Sequence, residues 1–214
     1  MKIKAITCNM LQENCYVVSD ETRQCVIIDC GAYYEAERKA LVAYINDEHL
    51  QPVHLLVTHG HLDHNFGNNT VYETFGLQPE VSEADLKMME NLASQAKTFY
   101  QLDLNYNFPA VGRTFQPNEV ISFGNHQLSV IETPGHSRGS VTFYCKEENV
   151  AFTGDTLFKT SIGRTDFPGG SYEEIENSLR NVLYQLPDDT VVFPGHGPQT
   201  RIGDEKRNNY YITL

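Results

Sequence analysis

The chain of 214 residues, 40% of them hydrophobic, is sized for one domain, residues 1–214, with a substantial core. Its formal charge of -12, from 16 Lys and Arg against 28 Asp and Glu, would repel a phosphate backbone, and no basic patch offsets it, so nucleic acid is excluded as a partner. No apolar run approaches the roughly 20 residues that span a bilayer, and MKIKAITCNM lacks the apolar core of a secretory signal, which predicts a cytoplasmic protein without a membrane partner.

Apolar alternation and β-branched residues predict strands over 3–7, 15–19 and 25–29, the last closed by Gly31. A helix follows within 34–50, where Ala36, Ala40, Leu41, Ala43, Tyr44 and Ile45 fall near helical spacing ahead of Pro52. VHLLVT, 53–58, is apolar almost throughout, as a strand buried on both faces would be. A second helix is predicted within 82–102, capped by Ser82 and buried along Leu86, Met89, Leu92, Ala93, Ala96 and Phe99. Strands at 119–123, 127–132, 140–145 and 149–153, a helix at 172–186 and a strand at 190–194 complete the order, which suggests two packed sheets with helices outside. Cys8, Cys15, Cys25, Cys30 and Cys145 are odd in number and show no C-x-x-C spacing, so they read as buried free thiols.

The chemistry is concentrated in THGHLDHN, residues 58–65. His59, His61 and His64 do not follow the i, i+4 spacing of one helix face, so a strand end and a loop must gather them, an open geometry that can converge on a metal. Three further polar residues stand beside glycine at strand ends: His136 in TPGHSRGS, Asp155 in FTGDTLF and His196 in FPGHGPQT. Glycine lets the backbone turn sharply there, so that each side chain faces a shared pocket.

T-H-G-H-L-D-H followed by P-G-H, G-D-T and G-H-G resembles the metallo-β-lactamase fold superfamily over nearly the whole chain. Within it, ENCYVVSD, VIIDCG, GDTLFKTSIGRTDFPGG and TRIGDEKRNNYY resemble the short bacterial type of glyoxalase II-like hydroxyacylglutathione hydrolase. The resemblance implies an α/β (α+β) fold, a four-layer αββα sandwich of two mixed sheets with the metals at one edge. Carried over by motif, His59, His61 and His136 would bind one divalent ion, Asp63, His64 and His196 a second, and Asp155 would bridge them. Imidazoles with a few carboxylates suit zinc first, with iron or manganese as alternatives. A water bridging such a pair loses a proton near neutral pH and attacks an acyl carbon, so Asp63 and Asp155 count as catalytic through the ions they hold. The implied reaction is hydrolysis of a small-molecule thioester such as S-D-lactoylglutathione, whose thiol leaves without a strong general acid.

Arg164 and Lys159, in the loop after Asp155, are candidates to hold a substrate carboxylate, although Arg164 followed by Asp166 equally suits an ion pair. Asp29 reads as an acceptor behind the ligands or a turn former, and Tyr100, Phe108 and Ser161 read as loop or core residues rather than pocket lining. Two other chemistries occur on the same resemblance: a mononuclear iron persulfide dioxygenase using part of this ligand set, and a lactone or ester hydrolase. His136 and His196 complete the dinuclear pattern and favour hydrolysis. Oligomeric state is not legible.

Overall fold

A computed structural model describes residues 1–116 and 118–214. The first sheet opens with β1 (Lys2–Cys8), β2 (Glu13–Ser19) and β3 (Gln24–Ile28), an antiparallel meander in which Ile3 pairs with Val18 and Tyr16 with Ile28. After α1 (Glu35–Asp47), the strands β4 (Gln51–Leu56), β5 (Pro79–Ser82) and β6 (Arg113–Phe115) join in parallel, in that order. Helix α2 (Asn68–Phe75) and the pair α3 (Leu86–Glu90) and α4 (Leu92–Tyr100) lie between them in the chain.

The second sheet runs from β7 (Val120–Phe123) through β8 (His126–Glu132) and β9 (Val141–Cys145) to β10 (Val150–Gly154), all antiparallel. A short hairpin, β11 (Leu157–Phe158) and β12 (Ser161–Ile162), precedes α5 (Tyr172–Asn177), whose first turn is capped by Ser171. The chain then returns as β13 (Val191–Pro194) beside β10 and closes with β14 (Thr200–Arg201) and α6 (Ile202–Asn208). This is an α+β arrangement of two mixed sheets with outer helices.

Strand periodicity explains the layers. In β2 and β3 the side chains of Tyr16, Val18, Val26 and Ile28 point between the sheets, where they meet Phe123, Leu128, Phe143 and Phe152. Their neighbours Cys15, Val17, Cys25 and Ile27 point the other way, onto Leu41 and Ile45 of α1. Every residue of β2 is buried because both faces are covered. On the far side, Ile175, Leu179, Leu183 and Ile202 cover Val192 of the second sheet. All five cysteines are free and buried, as expected for small apolar side chains in these layers.

Several expected elements shift. The strand predicted at 53–58 starts at Gln51 and ends at Leu56. Beyond it the amide of Thr58 donates to Asp29 Oδ1 at 2.7 Å instead of to a neighbouring strand. The helix predicted within 82–102 is broken at Asn91, whose amide side chain donates to the Lys87 carbonyl at 2.6 Å, and Ser82 makes no side-chain cap. In the second piece Leu92 and Ala96 are buried, but Phe99 is 53% exposed rather than part of the buried stripe. The helix predicted at 172–186 keeps its course but widens to a π turn over Ser178–Val182 and tightens to a 3-10 turn at Leu183–Gln185.

Strand direction places the site. Both β8 and β10 are antiparallel to β9, so they point the same way, and β13 is parallel to β10. The segments leaving β8, β10 and β13 therefore emerge at one edge of the second sheet, where they meet the segment leaving β4 of the first.

Candidate metal centre

Four segments deliver seven side chains to that edge. The 58–65 segment brings His59, His61, Asp63 and His64, with a 3-10 turn at Leu62–His64, and the ends of β8, β10 and β13 bring His136, Asp155 and His196. The glycines before the last three admit the close approach. Gly154 has φ +48°, a left-handed conformation in which a Cβ would also meet Thr58 Cβ at 2.7 Å. At Gly195 a Cβ would press on the Asp155 carboxylate and stand 2.6 Å from His64 Cε1.

Donor atoms of His59, His61 and His136 lie within 4.8 Å of one another, as do those of Asp63, His64 and His196, and a third trio of His59, His64 and Asp155 joins the two. His61 Nδ1 and His136 Nε2 are 2.8 Å apart. Asp155 stands between the sets. Its Oδ2 is 3.5 Å from His136 Nε2 and 3.6 Å from His196 Nε2, while its Oδ1 is 3.3 Å from His64 Nε2. Asp63 Oδ2 is 3.2 Å from His196 Nε2.

The outer ring nitrogens are fixed from behind, which directs the inner ones. His136 Nδ1 sits 2.8 Å from the Arg164 carbonyl and His196 Nδ1 3.0 Å from the Leu11 carbonyl, so in each ring Nδ1 is the donor and Nε2 is left with a free lone pair. His64 Nδ1 donates to Asp29 Oδ2 at 2.9 Å. The Thr58 hydroxyl donates to the same oxygen at 2.7 Å and stands 3.0 Å from His59 Nδ1, from which it accepts. One carboxylate thus orients a histidine of each set.

The residues fit divalent ions. His59 Nε2, His64 Nε2 and Asp155 Oδ1 are buried without a hydrogen-bond partner, an arrangement costly for a polar core unless a cation meets them. Electrostatics point the same way. Burial opposes charging His64, yet the carboxylates of Asp155, Asp29 and Asp63 raise its pKa well above the ordinary value. Burial works against ionised Asp155 too, but His64, His136 and His196 hold its pKa well below the usual carboxylate range. Burial, then His136, lower His61 to about 4, so that ring stays neutral and available as a ligand at neutral pH.

The cavity in front of these groups measures about 310 Å³ and is lined by Leu11, Gln95, Phe99, Tyr100, Arg164 and Phe167 together with five of the seven. Arg164 reaches it in a double role: its side chain pairs with Asp166 through two 2.7 Å contacts and lies 3.7 Å above the Phe167 ring. Lys159 does not reach it. Glu205 accepts from the Thr160 amide at 2.8 Å and pins the hairpin turn, so that Lys159 opens onto a separate hollow with Gln199, Arg201 and Asp204, while Phe158 before it faces His196. Tyr100, expected in the core, lines the cavity and donates to Asp63 Oδ1 at 3.4 Å; burial raises its pKa, which keeps it a donor. Phe108 packs at the edge of the α3–α4 core, and Ser161 lies in β12 with its carbonyl bound by Asn209.

Asp85 escapes sequence inspection altogether. This buried carboxylate accepts from the Gly60 amide at 2.9 Å, the Ser137 hydroxyl at 2.6 Å and the Gly139 amide at 2.8 Å, clamping the loop of His59 and His61 to that of His136. Nothing but a Ser-x-x-Asp run at 82–85 marks it in the sequence. Replacing Asp85 with Ala strands three buried donors and is expected to lower the unfolding free energy by about 2 kcal/mol. Urea denaturation of the metal-free chain reads this directly, and an unchanged midpoint would remove Asp85 from the framework.

Residues 8–196 match the sequence profile of the Metallo-beta-lactamase superfamily. The chain belongs to that superfamily and is one of its metallohydrolases. Hydroxyacylglutathione hydrolase GloC of Haemophilus influenzae is 38% identical over 214 residues, covering 99% of this chain and 98% of that one. Among solved structures, BLEG-1 B3 metallo-beta-lactamase superposes with a TM-score of 0.89 at 32% identity over 100% of both chains. TTHA1623 in a di-iron-bound form gives 0.85 at 33% identity over 98% of this chain and 100% of its own. Among the described residues no helix is long and apolar enough to cross a membrane.

Proposed function

We propose that the chain is a dinuclear thioesterase of the cytoplasm that hydrolyses S-D-lactoylglutathione or a close relative. One observation carries this reading: seven imidazole and carboxylate side chains adjoin in two sets around Asp155, in a cavity whose described lining contains no Ser, Thr or Cys to act as nucleophile. This supports water as the source of the attacking oxygen. Two divalent ions held there, zinc or alternatively iron or manganese, would supply a Lewis acid for the acyl oxygen and a water acidic enough to ionise near pH 7. His59, His61 and His136 would hold one ion and Asp63, His64 and His196 the other, with Asp155 placed between the two sets to serve both.

The protein's own groups do the rest. Asp29 and the carbonyls of Leu11 and Arg164 keep His64, His196 and His136 in the tautomer with an inward lone pair. Tyr100 steadies Asp63 from the cavity wall. Phe99 and Phe167, 5.4 Å apart between ring centroids, give the cavity an aromatic wall. As the acyl carbon–sulfur bond breaks, the thiol with an ordinary pKa of about 8.5 leaves as thiolate, which accounts for the lack of a dedicated general acid. The second set of side chains is what a mononuclear oxygenase would not require. The identity to the Haemophilus influenzae hydroxyacylglutathione hydrolase supports the glutathione thioester over lactones.

The test is turnover of S-D-lactoylglutathione by purified protein loaded with zinc, manganese or iron, against a chelator-treated blank. Metal-dependent release of glutathione is expected; no turnover with any metal, with oxygen uptake on glutathione persulfide instead, would replace the hydrolase by the dioxygenase. Arg164 is assigned to substrate binding, already partly neutralised by Asp166. Arg164→Ala should therefore raise KM about fivefold and leave kcat within about twofold. An unchanged KM would reduce Arg164 to a structural ion pair.

A further inference from the structure

Beside the cavity of the seven side chains lies a second hollow of about 440 Å³. His61, Gln95, Phe99 and Phe167 line both, so the two meet along that wall. Together they fall in the size range of small-molecule sites, roughly 300 to 1,000 Å³. This second hollow is lined by the apolar side chains of Met88, Phe99, Phe167 and Pro168 together with Lys87 and Arg138. Both cations are exposed, and among the described residues neither has an ion-pair partner, whereas Arg164 is held by Asp166. The only acid in the lining is Asp85, whose carboxylate is buried and occupied by Gly60, Ser137 and Gly139. In a chain of net charge -12, a positively charged, aromatic-walled extension of the reactive cavity is an exception that calls for an anionic occupant.

We propose that this hollow binds the thiol half of the substrate, with Lys87 and Arg138 pairing with the carboxylates of an acidic peptide thiol of the glutathione class while Met88, Phe99 and Phe167 cover its apolar stem. The inference rests on the thioesterase reading, and it accounts for glutathione recognition by elements of the αββα sandwich itself. α3 supplies Lys87, and the loop after His136 supplies Arg138. Phe167 follows from the Arg164 loop, so the segment that fixes His136 also walls the thiol site.

The probe is S-methylglutathione, which has no thioester to break, titrated calorimetrically into the metal-loaded wild type, into a Lys87→Ala/Arg138→Ala double variant, and into Lys146→Ala as a control for overall charge. The double variant should bind about tenfold more weakly, and the difference should shrink in high salt. In parallel, hydrolysis of S-D-lactoylglutathione is compared with that of the lactoyl thioester of N-acetylcysteamine, an uncharged thiol. The double variant should lose about tenfold more kcat/KM on the first than on the second, through KM. Wild type that does not bind S-methylglutathione, or equal affinity in wild type and double variant, overturns the proposal. Turnover of both thioesters with the same preference in wild type and double variant leaves the thioesterase reading standing and removes the carboxylate site. Binding that depends on Lys87 and Arg138 without turnover of either thioester does the reverse. Desulfo-coenzyme A bound with the same dependence would assign the pair to phosphates rather than carboxylates and overturn the ligand class.

Discussion

On the proposed dinuclear thioesterase reading, Asp155→Ala is expected to lower the metal content from two ions per chain to one or none and to reduce kcat/KM on S-D-lactoylglutathione by on the order of 10³-fold. The reason is geometric. Asp155 is the carboxylate between the two sets, with Oδ2 3.5 Å from His136 Nε2 and 3.6 Å from His196 Nε2 and Oδ1 turned to His64. Removing it also leaves the buried His64 without one of the carboxylates that favour positive charge there, so loss of the ion is not repaired by a neighbouring group. Elemental analysis of the dialysed variant alongside steady-state kinetics gives the answer. Two metals per chain with undiminished turnover would mean that Asp155 bridges nothing.

The second large effect is expected at a residue that touches no substrate. Asp29→Ala should weaken binding of both ions by roughly 10- to 100-fold, the range typical of a lost outer hydrogen bond to a ligand. Most such partners serve a single ligand. Here Asp29 Oδ2 accepts from His64 Nδ1 and from the Thr58 hydroxyl that in turn accepts from His59 Nδ1, so each set loses the anchor of one histidine. The backbone adds a demand of its own: Asp29 has φ +52°, and the short acidic side chain suits this left-handed position better than alanine. Asp29→Asn, which keeps the turn and one acceptor oxygen, separates the two contributions. If chelator competition shows only one of the two ions weakened in Asp29→Ala, the shared anchor is wrong.

The readable part of this protein is local in the chain. Val17 and Val18, or Ile27 and Ile28, announce a strand covered on both sides because alternate side chains leave opposite faces, and the two apolar layers found there confirm the period. The seven candidate ligands are legible for a similar reason. Imidazole and carboxylate are costly to gather without a purpose, and each distant member follows a glycine that its tight turn or close packing demands. Strand order then brings β4, β8, β10 and β13 to one edge.

Elsewhere the sequence carries no sign of the partner. Asp85 and Gln95 look like ordinary helix residues, yet Gln95 accepts from the Leu62 amide at 3.0 Å and donates to the Gly60 carbonyl at 3.0 Å, holding the histidine loop from 35 residues away. Asn91 breaks a helix whose apolar spacing reads as continuous, and Phe99 beyond the break lines the cavity rather than the core. Lys159 and Arg164 lie five positions apart in the chain, but Glu205 ties the hairpin turn to the last helix, and only Arg164 lines the cavity. The sequence by itself determined which side chains could hold metal and which segments become strands, because ligand chemistry and hydrophobic period are properties of neighbouring residues. Which groups orient those ligands, and which cations face the cavity, was decided only by the tertiary structure, since a buried hydrogen bond between distant segments exists only once both are packed.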